Sequence, residues 1–178
     1  MKVVCVLGKM GTKEIAAASI LGALAALSEV IPGPPFDIRF PLYPNISWDL
    51  TGIPIMISLM LYGPLCAVYT CLIGCSIIFL RGNVPGGTLK LIAELATLFG
   101  FALLRKGVLS KSIAAVTSRV AIMTIANYCL LPLFYPKFFL TSVSVGLLAL
   151  IALFNVTQAL VNIIPAYLIY LRVMKVKR

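Results

Sequence analysis

The chain has 178 residues, 61% of them hydrophobic and only 11% charged, with a net charge of +10. Soluble domains carry roughly 25% charged residues, so bilayer rather than water is the expected solvent. The absence of His, with only five carboxylates, excludes histidine zinc sites, His-based acid/base catalysis and Ser-His-Asp triads. Five cysteines with no C-x-x-C spacing indicate neither a disulfide framework nor a thiol redox motif.

A membrane-crossing helix needs about 20 mainly apolar residues. Five stretches qualify: roughly 13–31, 53–80, 86–104, 112–135 and 145–171. Residues 1–12 form a short N-terminal segment with no convincing signal peptide, because Lys9, Lys13 and Glu14 separate Val3–Leu7 from the small residues that follow.

In the first stretch Ala18, Gly22 and Ala26 recur every fourth residue. Such a face lets another backbone approach closely, and its helical partner is either internal or a separate subunit. Residues 32–50 form an outer loop with five prolines, the aromatics Phe36, Phe40, Tyr43 and Trp48, and Asp37, Arg39 and Asp49. That composition fits either a lid over an apolar ligand or an aromatic belt at the membrane interface.

The second stretch contains Tyr62-Gly63-Pro64, and Pro64 breaks or kinks a helix there. Counting cations decides between one crossing and two, because cytoplasmic loops carry the excess. Two crossings put Lys2, Lys9, Lys13, Arg105, Lys106, Lys111, Arg172, Lys175, Lys177 and Arg178 inside, against Arg39, Arg81 and Lys137 outside. The expected architecture is therefore an all-α, polytopic membrane protein: one six-helix domain over 13–178, with both termini cytoplasmic. Thr51–Tyr62, about 18 Å as helix, cannot span unaided.

Polar groups at membrane depth need partners or a task. Lys90 and Glu94, one turn apart, are expected to pair, and Arg119 lies two turns inside the fifth helix. Asn127, Asn155, Gln158 and Asn162 carry amides that either bond between helices or read a neutral heterocycle. Placing Asn127 and Asn155 toward the outer side predicts a chamber beneath the lid, open to the outside and lined by carboxamides. No phosphate-binding loop is present: Gly8-Lys9-Met10-Gly11-Thr12-Lys13 lacks the spacing.

The run Asp49-Leu50-Thr51-Gly52-Ile53-Pro54 followed by Leu61-Tyr62-Gly63-Pro64 resembles the D-x-S-D-I-P and YGP signature of substrate-binding S components of energy-coupling factor (ECF) vitamin transporters. Ala126-Asn127-Tyr128 with Leu131-Pro132-Leu133, and Leu153-Phe154-Asn155-Val156-Thr157-Gln158, are similar to the N-Y…P-x-Y and P-F-N-x-x-K segments of the riboflavin-specific branch. The likeness spans nearly the whole chain. It implies a six-helix, non-enzymatic subunit of a prokaryotic cell membrane that captures a vitamin outside and works with a T subunit and two ABC ATPases.

On that resemblance Asn127 and Asn155 contact the ligand and Gln158 takes the place of the family's lysine. Asp49, Trp48 and Tyr43 are candidate contacts from the lid, and Ala18, Gly22 and Ala26 match the family's A-x-x-x-A surface for the T subunit. Riboflavin is the expected transported ligand; no cofactor, metal or nucleic acid is expected. Gly52 in place of the second aspartate, Gln158 in place of lysine and Leu153 in place of proline leave open another planar vitamin or precursor. A membrane assembly protein without a ligand is the alternative from a different class.

Overall fold

The computed structural model describes residues 10–43, 46–105, 107–134 and 145–176. Most of the expected 1–12 segment lies outside them. Six helices are present among the described residues: α1 (Thr12–Val30), α2 (Gly52–Tyr62), α3 (Pro64–Leu80), α4 (Val84–Leu103), α5 (Val108–Phe134) and α6 (Val145–Val176). Three of them, α4, α5 and α6, are each long and apolar enough to cross a membrane.

Helix boundaries follow local chemistry. The Glu14 carboxylate accepts from the Gly11 amide at 2.8 Å, tying down the start of α1. Gly63, at φ 95°, turns the chain between α2 and α3, and Pro64 opens α3 at its first position, where its missing N–H costs nothing. The break expected at Pro64 is thus complete, and α2 is left with 11 residues. Asn83 caps α4 by accepting from the Gly86 amide at 3.0 Å.

Helices α2, α3, α4, α5 and α6 each pack on the next, and α6 closes on α2; α1 lies against α3 and α2. Close approach is achieved at glycines. A side chain at Gly22 would stand 2.7 Å from Ile73 Cβ, and one at Gly74 would stand 2.7 Å from Ala25 Cβ, so α1 and α3 touch almost backbone to backbone. Likewise Gly100 of α4 sits where a Cβ would be 2.5 Å from the Ala114 carbonyl and 2.7 Å from Ser118 Cβ of α5. The apolar core runs through Ile55, Met56 and Leu59 of α2, Cys71 and Cys75 of α3, Leu98 and Phe101 of α4, and Ala159 and Ile163 of α6.

The 32–50 loop is more ordered than its proline content suggests. Asp37–Arg39 (β1) and Ser47–Asp49 (β2) pair antiparallel, with Ile38 opposite Trp48. Phe40 is 3% exposed and accounts for this order: its ring meets Trp48 edge-on at 5.2 Å and Phe154 of α6 at 5.6 Å. Burying an aromatic ring against α6 supplies the apolar contact that an isolated hairpin lacks.

Candidate functional site

The hairpin is latched onto α6. The Trp48 indole N–H donates to Thr157 Oγ1 at 2.8 Å. Gln158 uses both ends of its amide on Asp49, accepting from the Asp49 N–H at 3.2 Å and donating to its carbonyl at 2.8 Å. The Asp49 carboxylate accepts from the Thr51 N–H at 3.0 Å and pairs with Lys90 of α4. Burial alone would raise the Asp49 pKa, but Lys90 and the Thr51 bonds outweigh it and hold the carboxyl below its usual value. Lys90 also lies 3.5 Å from Glu29 at the end of α1, and Glu29 accepts from the Thr51 hydroxyl at 2.9 Å.

Beneath the hairpin lies a second polar cluster at mid-helix depth. Arg119 donates from Nη1 to Glu94 Oε1 at 2.9 Å and to Thr97 Oγ1 at 3.0 Å, and from Nε to Asn155 Oδ1 at 3.1 Å. Asn162 Nδ2 reaches both Glu94 oxygens at 3.3 Å, and Gln158 donates to Asn162 Oδ1 at 3.1 Å. Gln158 therefore joins the latch to the core cluster. Arg119 and Glu94 are 2% and 1% exposed, so the pair is desolvated and needs this full set of bonds.

Several expectations change on this geometry. Lys90 and Glu94 do not pair with each other: successive turns of α4 point them to different neighbours, Lys90 to the hairpin and α1, Glu94 to α5 and α6. Among the described residues the carboxamides are buried and hydrogen-bonded inside the bundle, where a chamber open to the outside was expected. Asn155 and Gln158 meet within one bonded cluster through Asn162, Glu94 and Arg119, whereas Asn127 donates at 2.7 Å to the Met123 carbonyl of its own helix. Neither described groove, one beside Glu29 and Arg81 and one between α4 and α5, touches these amides. Tyr43 takes part in the hairpin through its backbone, donating to the Phe40 carbonyl at 3.1 Å.

Ala18 and Gly22 are buried inside the chain, because the missing side chain at Gly22 is filled by Ile73 of α3. Ala26 remains half-buried. The exposed side of α1 carries Ile20, Leu24 and Leu27 instead.

Residues that sequence reasoning did not place in the site are Thr157, Phe40, Phe154 and Arg119. Arg119 was detectable as the one cation deep in the fifth span, though nothing in its neighbourhood along the chain names Glu94 as its partner. Gly52 gains a reason: a Cβ there would lie 1.9 Å from Asn162 Nδ2. The space a side chain would take at Gly52 is occupied by the Asn162 amide of α6.

No protein-family model and no curated protein matches the chain. Among solved structures it is similar to the S component of a bacterial ECF transporter, with a TM-score of 0.78 at 21% identity, covering 93% of this chain and 98% of that one. At that identity the likeness establishes the fold alone.

Proposed function

We propose that this chain is the membrane-embedded substrate-capture subunit of an ECF-type vitamin importer, with six spans and both termini cytoplasmic. It binds riboflavin or a related flavin at the outer face, and a T subunit with two ATPases drives delivery inward. The observation that carries the reading is the hairpin latched across α6, in a fold similar over 93% of the chain to an S component. Thr157, Gln158, Trp48 and the Asp49 backbone form a ring of donors and acceptors closed on itself. A flavin ring entering under the hairpin would exchange these bonds for its own carbonyls and imide N–H, with Phe40 and Phe154 as apolar walls.

In this reading Asn127, Asn155, Gln158, Asp49, Trp48 and Tyr43 meet the ligand once the hairpin opens. The T subunit would meet α1 on its outward side, at Ala26 with Ile20, Leu24 and Leu27, since Ala18 and Gly22 are consumed by α3. The departures at Gly52 and Gln158 change the polar lining, which makes another planar vitamin the second choice.

Titrating the purified chain with riboflavin tests the assignment. Flavin quenching and a change in emission of Trp48, the single tryptophan, are expected at micromolar protein or below. Asn155→Ala and Asn127→Ala are expected to weaken binding about tenfold each, the size of a hydrogen bond lost in a buried site. An intact fold showing no quenching removes riboflavin, and the same result with a panel of planar vitamins removes the capture function.

A further inference from the structure

Away from the hairpin, α4 and α5 meet tightly at Gly100. Beside this contact is a groove of about 540 Å³ lined by Leu104, Ser110, Ile113, Ala114, Thr117 and Ser118. Its walls are apolar except for three hydroxyls. Elsewhere on α5 the hydroxyls bond back to their own helix: Ser112 to the Val108 carbonyl at 3.0 Å and Thr124 to the Val120 carbonyl at 2.8 Å. Among the described residues, Ser110, Thr117 and Ser118 have no hydrogen-bond partner for their hydroxyls, although a free hydroxyl facing hydrocarbon is unfavourable.

One exposed cation follows the groove residue Leu104 in the chain, and a second cation near the groove is turned inward. Arg105, next to Leu104, is exposed. Lys111, next to Ser110, is 3% exposed, and its ammonium lies over the Phe101 ring at 5.6 Å. No carboxylate among the described residues pairs with either. The groove thus offers an apolar trough, a short row of unmatched donors and positive charge at its mouth.

We infer that this groove binds an anionic phospholipid of the inner leaflet, the side on which the cation count places the α4–α5 connection. An acyl chain lies along Leu104, Ile113 and Ala114. Ester and phosphodiester oxygens accept from the three hydroxyls, and the phosphate meets Arg105. A partner helix fits less well, because its backbone polar groups are already bonded internally and cannot satisfy the hydroxyls and Arg105.

The test is native mass spectrometry of the full chain released from micelles holding equal phosphatidylglycerol and phosphatidylcholine. Phosphatidylglycerol adducts are expected to exceed phosphatidylcholine adducts by about fivefold or more, the effect of one basic group near an anionic headgroup. Arg105→Gln, at an exposed position, is expected to lower that preference about fivefold, and Thr117→Leu with Ser118→Leu to abolish both adducts by filling the trough. Equal retention of the two lipids by the unaltered chain overturns the inference. So does a preference unchanged in both variants, or cross-linking of Thr117→Cys to a co-expressed polypeptide in place of a photoactivatable phosphatidylglycerol.

Discussion

Removing the guanidinium from the centre of the bundle by Arg119→Met should be among the most damaging single changes available. Arg119 Nη1 and Glu94 Oε1 are 2.9 Å apart with almost no solvent access. At an effective dielectric near 20 their attraction is about 6 kcal/mol, most of it offset by the desolvation of both charges. The variant keeps the desolvation of Glu94 while losing the attraction, and it leaves Thr97 Oγ1 and Asn155 Oδ1 without their donor. Breaking such a pair from one side costs about 3–5 kcal/mol, or roughly 10 °C in melting temperature for a chain of this size. Glu94→Gln should cost a similar amount by stranding the cation.

The double variant Glu94→Gln with Arg119→Met removes both charges and should recover most of the loss, to within about 2 kcal/mol of the unaltered chain. Equilibrium unfolding in mixed micelles, followed by helical circular dichroism, measures all four corners of this cycle. Single variants as stable as the parent, or a double variant that loses the sum of both singles, would refute the argument that the pair is a mutually dependent buried unit.

Gly52→Ala places a methyl 1.9 Å from Asn162 Nδ2, whose amide is held by Glu94 and Gln158, and is expected to cost about 1–3 kcal/mol by overpacking; adding Asn162→Ala should cost less than the two changes separately, as read by thermal unfolding. Thr157→Val removes the acceptor for Trp48 and should raise acrylamide quenching of its emission about fivefold, while the melting temperature moves by only a few degrees. Because the Asp49 pKa lies below its usual 3.8 in the folded protein, its contribution is complete above that value and is lost as pH falls through the lower folded value. Trp48 emission should therefore be flat between about pH 5 and 8 and change only below about pH 4, and Asp49→Asn should abolish that acid transition.

The helices were legible because lipid favours long apolar runs, and the break between α2 and α3 because Gly63-Pro64 carries turn chemistry that does not depend on tertiary context; the Asn83 cap of α4 emerged only from the structure. The expected stretch 86–104 and the observed Val84–Leu103 differ by no more than a cap. Rotation of one helix about its axis relative to another was not legible, and every misplaced partner traces to it. Gly22 proved internal because Ile73 happens to face it, and Lys90 and Glu94 separated because one turn of α4 divides the hairpin from the core. The two strands were hidden because three-residue segments between prolines carry no readable alternation. Their pairing depends on Phe40 finding Phe154, more than a hundred residues away.

The double engagement of Lys90 ties together two parts of the molecule with different jobs. One ammonium grips the hairpin through Asp49 and the end of α1 through Glu29, and the Thr51 hydroxyl stitches the same two regions a second time. Tilting α1 away from α4 must therefore either snap the Glu29 strut or drag the hairpin along with it. Force applied to the first helix is felt at the mouth of the bundle without any lever longer than a lysine.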